Sequence, residues 1–418
     1  MTRSTSVPGH VDEPARRSAR LVVILGALSA FGPLSNDMYL PAFPSISAQL
    51  HADASSVQLT LAACMVGLAL GQLIAGPLSD SFGRRGPLLV GLAVFTVFSA
   101  VCALAPTVYV LTVVRFVQAL GGAAGLVIAN ASVRDRYSGS LMSRFLSLLM
   151  LINGTAPILA PIIGGQLLRF TSWRGVFWTL TAIGFVLAVV SALWLEESLP
   201  VERRRPAHLS ATLRAYRGLL TDRMFVGYAL AGGMAFAAMF AYISGSSFVL
   251  QNVFGLSPQG FSLVFALNGL GIVLVGQVNG RLVRRVSSRR LLATGLCISA
   301  TGGLLLLFGV LIGAGLPVVL PALFLVVSSI GLVAPNSLTM ALADYASRAG
   351  TASSLVGVLQ YIFGGLMAPV VGLAGVGTAL PMALIIAVLP LGGLIIFRTM
   401  TGAHPPAAVP EETVERPS

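Results

Sequence analysis

The sequence predicts an all-α membrane protein with twelve transmembrane helices arranged as two pseudo-symmetric six-helix bundles. Three observations carry this prediction. First, the 418 residues are 56% hydrophobic and only 10% charged, with a mean hydropathy of +0.89. A soluble domain carries about 25% charged residues, so a soluble fold of this length could not cover so much apolar surface. Second, twelve apolar stretches reach the roughly 20 residues that a helix needs to cross a bilayer. Third, a short charged hairpin recurs at half-chain spacing. Gly76-Pro77-Leu78-Ser79-Asp80-Ser81-Phe82-Gly83-Arg84-Arg85 joins the second and third stretches, and a copy that begins Gly280-Arg281-Leu282 and carries Arg284, Arg285, Arg289 and Arg290 joins the eighth and ninth. Superposing Gly76 on Gly280 also superposes Leu78 on Leu282 and Arg85 on Arg289, the mark of an internally duplicated bundle. Arg284 stands in the place of Asp80, so the two halves have diverged.

Residues 1–20 form a polar tail with no small-residue cleavage site behind it, so a removable signal peptide is not expected. The N-terminal bundle, 21–195, holds spans at 21–41, 56–77, 86–105, 108–132, 143–167 and 175–195. A charged linker follows at 196–223, with Pro200 and Pro206 and no sustained apolar run. Its later part, Leu209 to Leu220, has the pattern of a short amphipathic helix on the membrane surface. The C-terminal bundle, 224–397, holds spans at 224–249, 259–280, 291–313, 317–342, 351–373 and 377–397. The tail is 398–418, and from Thr401 onward, with Pro405, Pro406 and Pro410, it reads as disordered.

Arginine placement orients the bundle. With both termini on the cytoplasmic side, 23 arginines fall in inner loops and tails and two, Arg169 and Arg174, in outer loops; Arg115 lies within a span. The positive-inside rule selects that orientation. The net charge of +12 is then a topology signal that meets anionic lipid, and no nucleic-acid partner is expected.

Enzymatic chemistry has little to work with. All 26 basic residues are arginine, which removes a P-loop lysine and a lysine Schiff base. His10, His51, His208 and His404 lie in tails or loops, so no metal cluster or cofactor is expected. Cys64, Cys102 and Cys297 sit singly in apolar runs as packing residues. A monomer is the expectation.

Two ionisable residues lie well inside spans, Asp37 and Arg115. A mid-membrane charge costs about 2.5–3.5 kcal/mol on insertion scales, so such residues tend to be paired or functional. Asp37 is about 24 Å along span 1 from its inner end, and Arg115 about 10 Å in from the outer end of span 4. Their depths match, so they meet if spans 1 and 4 are neighbours. Burial and a nearby guanidinium push a carboxyl in opposite directions, so such a pair can switch when its separation changes; a static structural pair is the plainer alternative. Gly32, Pro33, Pro41 and Pro44 interrupt span 1, with Ser35 and Asn36 beside the acid, and polar neighbours can satisfy a loosened backbone. Span 5 is broken by Gly154, Pro157, Pro161, Gly164 and Gly165. Gly121, Gly122 and Gly125 in span 4 read as tight packing.

These residues carry a resemblance. The hairpin from Gly76 to Arg85 resembles the signature between helices 2 and 3 of the major facilitator superfamily, and Arg115-Phe116-Val117-Gln118 its helix-4 arginine motif. Gly154 through Gly165 is similar to the helix-5 motif of drug:proton antiporters. Asp37-Met38-Tyr39-Leu40-Pro41 resembles the helix-1 signature of the Bcr/CflA multidrug exporters, and the stretches Ala241–Ser246 and Ala349–Ser353 are similar to that group's helices 7 and 11. Ser81 and Ala160 depart from the patterns, at positions where a basic residue and a glycine are frequent. The resemblance implies a proton-coupled exporter of drug-like molecules working by alternating access; the same fold would also serve a dedicated exporter of one metabolite, an importer or, remotely, a non-transporting receptor. Asp37 is the expected proton carrier and Arg115 its modulator. Tyr39, Phe236, Phe240, Tyr242, Gln360 and Tyr361 are candidate cavity walls. By the resemblance, Gly76, Asp80, Gly83, Arg84 and Arg85 form an inner gate whose Asp80 and Arg84 stabilise the outward-open state. Pro157, Pro161, Gly164 and Gly165 are further gating candidates.

Overall fold

The computed structural model describes residues 13–204, 216–345, 349–373, 375 and 377–402. Among them the chain is helical throughout, without a strand. We label the long helices α1 (Glu13–Asp37), α2 (Ala54–Phe82), α3 (Arg85–Ala103), α4 (Val108–Arg136), α5 (Gly139–Leu167) and α6 (Trp173–Trp194) in the first half. The second half has α7 (Arg223–Phe248), α8 (Pro258–Leu282), α9 (Ser288–Leu311), α10 (Leu316–Leu342), α11 (Ala349–Gly372) and α12 (Leu380–Thr401). The described residues supply twelve helical segments long and apolar enough to cross a membrane.

The duplication seen in the hairpins extends to the packing. In the first half α4 packs on α1, α2 and α3, while α1 packs on α5 and α3 on α6. Adding six to each label reproduces the second half: α10 packs on α7, α8 and α9, α7 on α11 and α9 on α12. The seams between the halves obey the same rule, since α2 meets α11 and α5 meets α8. Small residues permit these close crossings. A Cβ on Gly121 would sit 2.6 Å from the Gly91 carbonyl oxygen, and one on Gly125 2.9 Å from that of Leu28.

Several helix ends differ from the sequence reading, and two of them shape the site. Span 1 runs past residue 41 to Gln49, but not as one helix: α1, which already begins at Glu13, stops at Asp37, and the span continues as a 3-10 turn, Leu40–Ala42, and a short helix, Phe43–Gln49. Pro41 and Pro44 sit in the first turns of these two pieces, where a missing N–H is tolerated. Conversely, α2 runs five residues past the expected end at 77. Ser79 and Ser81 donate their hydroxyls to the Gly76 and Pro77 carbonyls at 2.8 and 3.0 Å, so polar residues stay helical and the turn shrinks to Gly83 and Arg84. Of the expected surface helix at 209–220, residues 216–221 are helical, and the part up to 215 lies outside the described residues, as do 1–12 and 403–418.

Among the described residues, a set of five hydrogen bonds latches the halves together at the end away from the arginine-rich hairpins. Ser247 Oγ donates to the Leu40 carbonyl at 2.6 Å and Gln251 Nε2 to that of Pro41 at 3.1 Å. Gln58 Nε2 reaches the Ser244 carbonyl at 3.1 Å, Ser55 Oγ that of Pro369 at 3.0 Å, and Gln259 Nε2 that of Gly165 at 2.8 Å.

Candidate functional site

Between the halves lies a cavity of about 400 Å³, within the range of small-molecule sites. Its wall is mostly apolar, with Met65, Leu68, Ile158, Phe236, Phe240 and Phe265 among its lining. The first half contributes the polar groups Asn36, Asp37, Gln72 and Asn153, and the second half contributes Tyr242 and Tyr361. The helix break after Asp37 puts its carboxyl in this wall at 5% exposure, where it accepts a hydrogen bond from Asn36 Nδ2 at 2.8 Å.

Arg115 is placed elsewhere. It is fully buried, and its Nη1 donates to Ser35 Oγ at 3.2 Å and Gln118 Oε1 at 2.6 Å. The guanidinium stacks 4.3 Å over the Tyr39 ring and 5.6 Å over Phe177, and Gln118 continues the network to Ser99 Oγ at 2.6 Å. The expected meeting of Asp37 and Arg115 is not made in this state: no hydrogen bond or ion pair joins them. The reason is angular. Ser35 and Asp37 are two residues apart, about 200° around a helix, so Ser35 faces α4 while Asp37 faces the cavity. Matching depth did not fix azimuth.

Tyr39 is likewise not a cavity wall. It is fully buried, its hydroxyl shares a hydrogen bond with Thr60 Oγ1 at 3.1 Å, and its ring packs on Phe43 and Phe177 as well as under Arg115. Gln360 is half-buried and outside the lining. Phe236 and Phe240 do line the cavity as an aromatic pair with centroids 4.9 Å apart, and Tyr361 meets Phe236 edge-on at 6.5 Å. Tyr242 accepts a hydrogen bond from Asn268 Nδ2 at 2.9 Å and stacks on Phe265. Sequence reasoning missed Gln72 and Asn153 as wall residues; a lone amide deep in an apolar run was the available signal.

The gating candidates fall at opposite ends. Pro157 lines the cavity and Pro161 is buried. Gly164 and Gly165 sit at the latch: a Cβ on Gly164 would lie 1.8 Å from the Met38 carbonyl oxygen, and one on Gly165 2.4 Å from Ser262 Oγ across the seam. At the hairpin end, Gly76 has room to spare, its hypothetical Cβ meeting only Val127 at 4.0 Å. Arg84 is the hub there. It donates to Asp80 at 2.5 Å, Ser79 at 2.7 Å and Asp135 at 2.8 Å. Desolvation alone would favour the neutral base, but the two carboxylates outweigh it and hold Arg84 above its ordinary pKa. Arg85 donates to the Ala192 carbonyl near the end of α6, and Arg289 to the Thr401 carbonyl at the end of α12, both at 2.5 Å. The two matched arginines thus tie matched helix ends, where a cation suits the helix dipole.

Glu197 was not foreseen in this network. Its carboxylate accepts the backbone N–H groups of Arg84 at 2.8 Å and Arg85 at 3.1 Å, together with those of Ser198 and Leu199. It caps the start of α3 with a residue from the linker. Gly83 is required beneath it, since its φ is +91° and a Cβ would lie 2.6 Å from Glu197 Oε2. Burial pushes the Glu197 carboxyl up, but the four backbone donors win and hold it below the ordinary glutamate value. A depressed folded-state pKa stabilises above the unfolded value of 4.5 and is lost as pH falls through the folded value. Hydrogen exchange at the Arg84 and Arg85 amides, corrected for the intrinsic pH dependence, should therefore stay protected near neutral pH and open only as the pH falls below 4.5. Glu197→Gln should open them at neutral pH. Equal protection in the variant would show that the cap does not hold the turn.

The comparisons with known proteins agree with this geometry. Residues 25–369 match the family description of the Major Facilitator Superfamily. The chain is 41% identical to the uncharacterized MFS-type transporter YdgK of Bacillus subtilis, over 91% of this chain and 95% of that one. It is 31% identical to the bicyclomycin resistance protein homolog of Haemophilus influenzae, over 86% and 91%, and 29% identical to the multidrug resistance protein MdtL of Salmonella heidelberg, over 82% and 85%. Among solved structures, the nucleoside transporter NupG shares the fold at a TM-score of 0.76 and 13% identity, covering 91% and 99%. A bacterial homolog of the lysosomal transporter Spinster, in an inward-facing unoccupied conformation, does so at 0.71 and 16%, covering 92% and 95%. With the helix-1 signature of the Bcr/CflA group and relatives named for bicyclomycin and multidrug resistance, the chain belongs to the Major Facilitator Superfamily, a family of transporters and not of enzymes.

Proposed function

We propose that this protein exports drug-like small molecules across the bacterial cytoplasmic membrane in exchange for protons, with Asp37 as the proton carrier. One observation carries the reading: a single carboxylate stands in the wall of a mostly apolar cavity between two halves whose latch, among the described residues, lies at one end. A lone acid in an apolar wall changes its charge at a high cost in solvation, so its protonation state and the cargo's fit are coupled. The aromatic pair opposite suits an amphipathic cargo, including lipophilic cations held by ring faces. Relatives named for bicyclomycin and multidrug resistance support the cargo class. The arginine bias supports placing the hairpins and both termini in the cytoplasm, which makes the latched end the outer one and this state inward-facing. The test is uptake of ethidium into inverted vesicles with and without an imposed pH gradient. Gradient-dependent accumulation is expected, and accumulation that ignores the gradient would remove proton coupling.

The hairpin hub supplies the gate in this reading. Asp80 keeps its side chain 54% exposed while bound to Arg84, so it remains available to a new partner when the hairpin end closes. Asp80→Asn is expected to enrich the inward-facing state and lower turnover several-fold, as a coupling of about 1–3 kcal/mol would. Affinity in the cavity should be nearly unchanged. Spin-label distances across the hairpin end report the shift, and an unaltered distribution in an inserted variant would make Asp80 a topology residue alone.

A further inference from the structure

The cavity wall contains an amide whose bonding is half complete. Asn36 lines the cavity at 5% exposure, and its Nδ2 is committed to Asp37 Oδ1 at 2.8 Å. Its Oδ1 is buried with no hydrogen-bond partner. Ser35, the preceding residue, is turned toward Arg115 on α4. A buried acceptor left without a donor is unfavourable, and in a native wall it asks for an explanation.

The chemistry of the pair supplies one. An ionised Asp37 is acceptor-only, so Asn36 must turn its NH₂ toward it, which leaves the amide carbonyl orphaned. A protonated Asp37 carries an O–H donor. The amide can then turn over about its Cβ–Cγ bond so that Oδ1 accepts that proton. We propose that Asn36 reads the protonation of Asp37, and that its Oδ1 is one acceptor for which two donors compete: the Asp37 proton and an N–H or O–H group of the cargo. The proposal rests on the reading of Asp37 as the proton carrier and deepens it. It names the cargo as an amphipathic molecule with at least one hydrogen-bond donor beside an aromatic or apolar face. On ionisation the proton leaves Asp37 for water and no other bond changes. With the proton bound, the turned amide gives its Oδ1 to the carboxyl and presents its NH₂ in that place, so a donor on the cargo meets another donor and is released; with the proton gone, the amide turns back, Oδ1 is again without a donor, and cargo is held. Proton and cargo thus exclude each other at one atom.

The other charged and titratable groups around Asp37 do not mimic this. Arg115 from α4, Cys64 from α2 and Tyr361 from α11 act on it through space. Tyr242 on α7 lies in the same wall, and α5 contributes only the neutral Asn153. Asn36 is the residue that touches the carboxyl directly.

Infrared difference spectra of the purified full-length protein in lipid, recorded between alkaline and acid pH, test the proposal. Wild type should show a carboxyl band that is lost in Asp37→Asn. It should also show a side-chain amide carbonyl band that moves to lower frequency on acidification, as that carbonyl gains a donor. Asn36→Leu and Asn36→Ser should each lose the amide feature and keep the carboxyl band; two variants of different size guard against a misfolded one. At alkaline pH, ethidium, whose aromatic amines are donors, should move the same amide band, and tetraphenylphosphonium, which has none, should not. Any other pattern with these two probes overturns the shared-acceptor proposal for the cargo. If no carboxyl band depends on Asp37, the proton-carrier reading falls. If the Asp37 band titrates while neither Asn36 variant removes an amide feature, that reading stands and this inference is overturned.

Discussion

Asp37→Asn is expected to insert and fold like wild type and to lose pH-gradient-driven export down to the level of vesicles without transporter. Folding is spared because the replacement is nearly isosteric and its Oδ1 can still accept from Asn36 Nδ2, the hydrogen bond seen at 2.8 Å. A neutral amide also avoids the roughly 2.5–3.5 kcal/mol that a mid-membrane charge costs on insertion scales. Coupling is lost because nothing else in the cavity wall can bind and release a proton near neutral pH: its remaining polar side chains are amides and phenols. The variant is locked as a mimic of the protonated acid, so pH should no longer alter binding of a probe such as ethidium, whatever its affinity. Unchanged gradient-driven flux through correctly inserted Asp37→Asn would move the proton site elsewhere. Asp344 would then be the first to test, since Asp135 is already held by Arg84 and by Ser198 Oγ at 3.1 Å.

The helices were legible because apolar length is a one-dimensional property of the chain, and the duplication because it copied a hairpin and its spacing. Helix ends were less so. Hydropathy ends span 2 at 77, yet Ser79 and Ser81 bond back to their own helix and carry it to Phe82. The site divided along similar lines. Depth within the membrane follows from counting residues, so Asp37 and Arg115 could be placed at one level; azimuth at a broken helix does not, so their partners could not. Arg115 found Ser35, Gln118 and the Tyr39 ring, which turned Tyr39 from a wall residue into a shield. Glu197 left no trace in the sequence because its partners at the hairpin are backbone N–H groups more than a hundred residues away, and a backbone donor has no side-chain signature. The five latch bonds were hidden for the same reason, each ending on a backbone carbonyl.

Gly164→Ala is expected to cost more stability than any other glycine-to-alanine change in the long helices of the first half. The new Cβ would lie 1.8 Å from the carbonyl oxygen of Met38, 2.8 Å from its carbonyl carbon and 3.2 Å from its Cα. All three are backbone atoms, so no side chain can rotate out of the way. Met38 is itself held, its N–H donating to the Leu34 carbonyl at 3.1 Å at the very end of α1. Relief must therefore come from moving α5 away from α1 or from shifting the break that places Asp37 in the cavity wall. Overpacking a well-filled interior typically costs about 1–3 kcal/mol, and a fixed backbone neighbour puts this case at the upper end of that range or beyond. Transport should fall with it, because the displaced segment after Asp37 carries Leu40 and Pro41, whose carbonyls anchor two latch bonds to α7 and the π-helical turn, Val249–Val253, that follows it. The matched control lies ten residues earlier on α5. A Cβ on Gly154 meets nothing within 4 Å, and alanine is favoured over glycine in a helix by about 1 kcal/mol, so Gly154→Ala should melt no lower than wild type. Thermal unfolding of the two variants side by side in detergent separates sterics from helix propensity. If Gly164→Ala melts with Gly154→Ala and transports like wild type, the break after Asp37 does not rest on α5, and the placement of the acid loses its support.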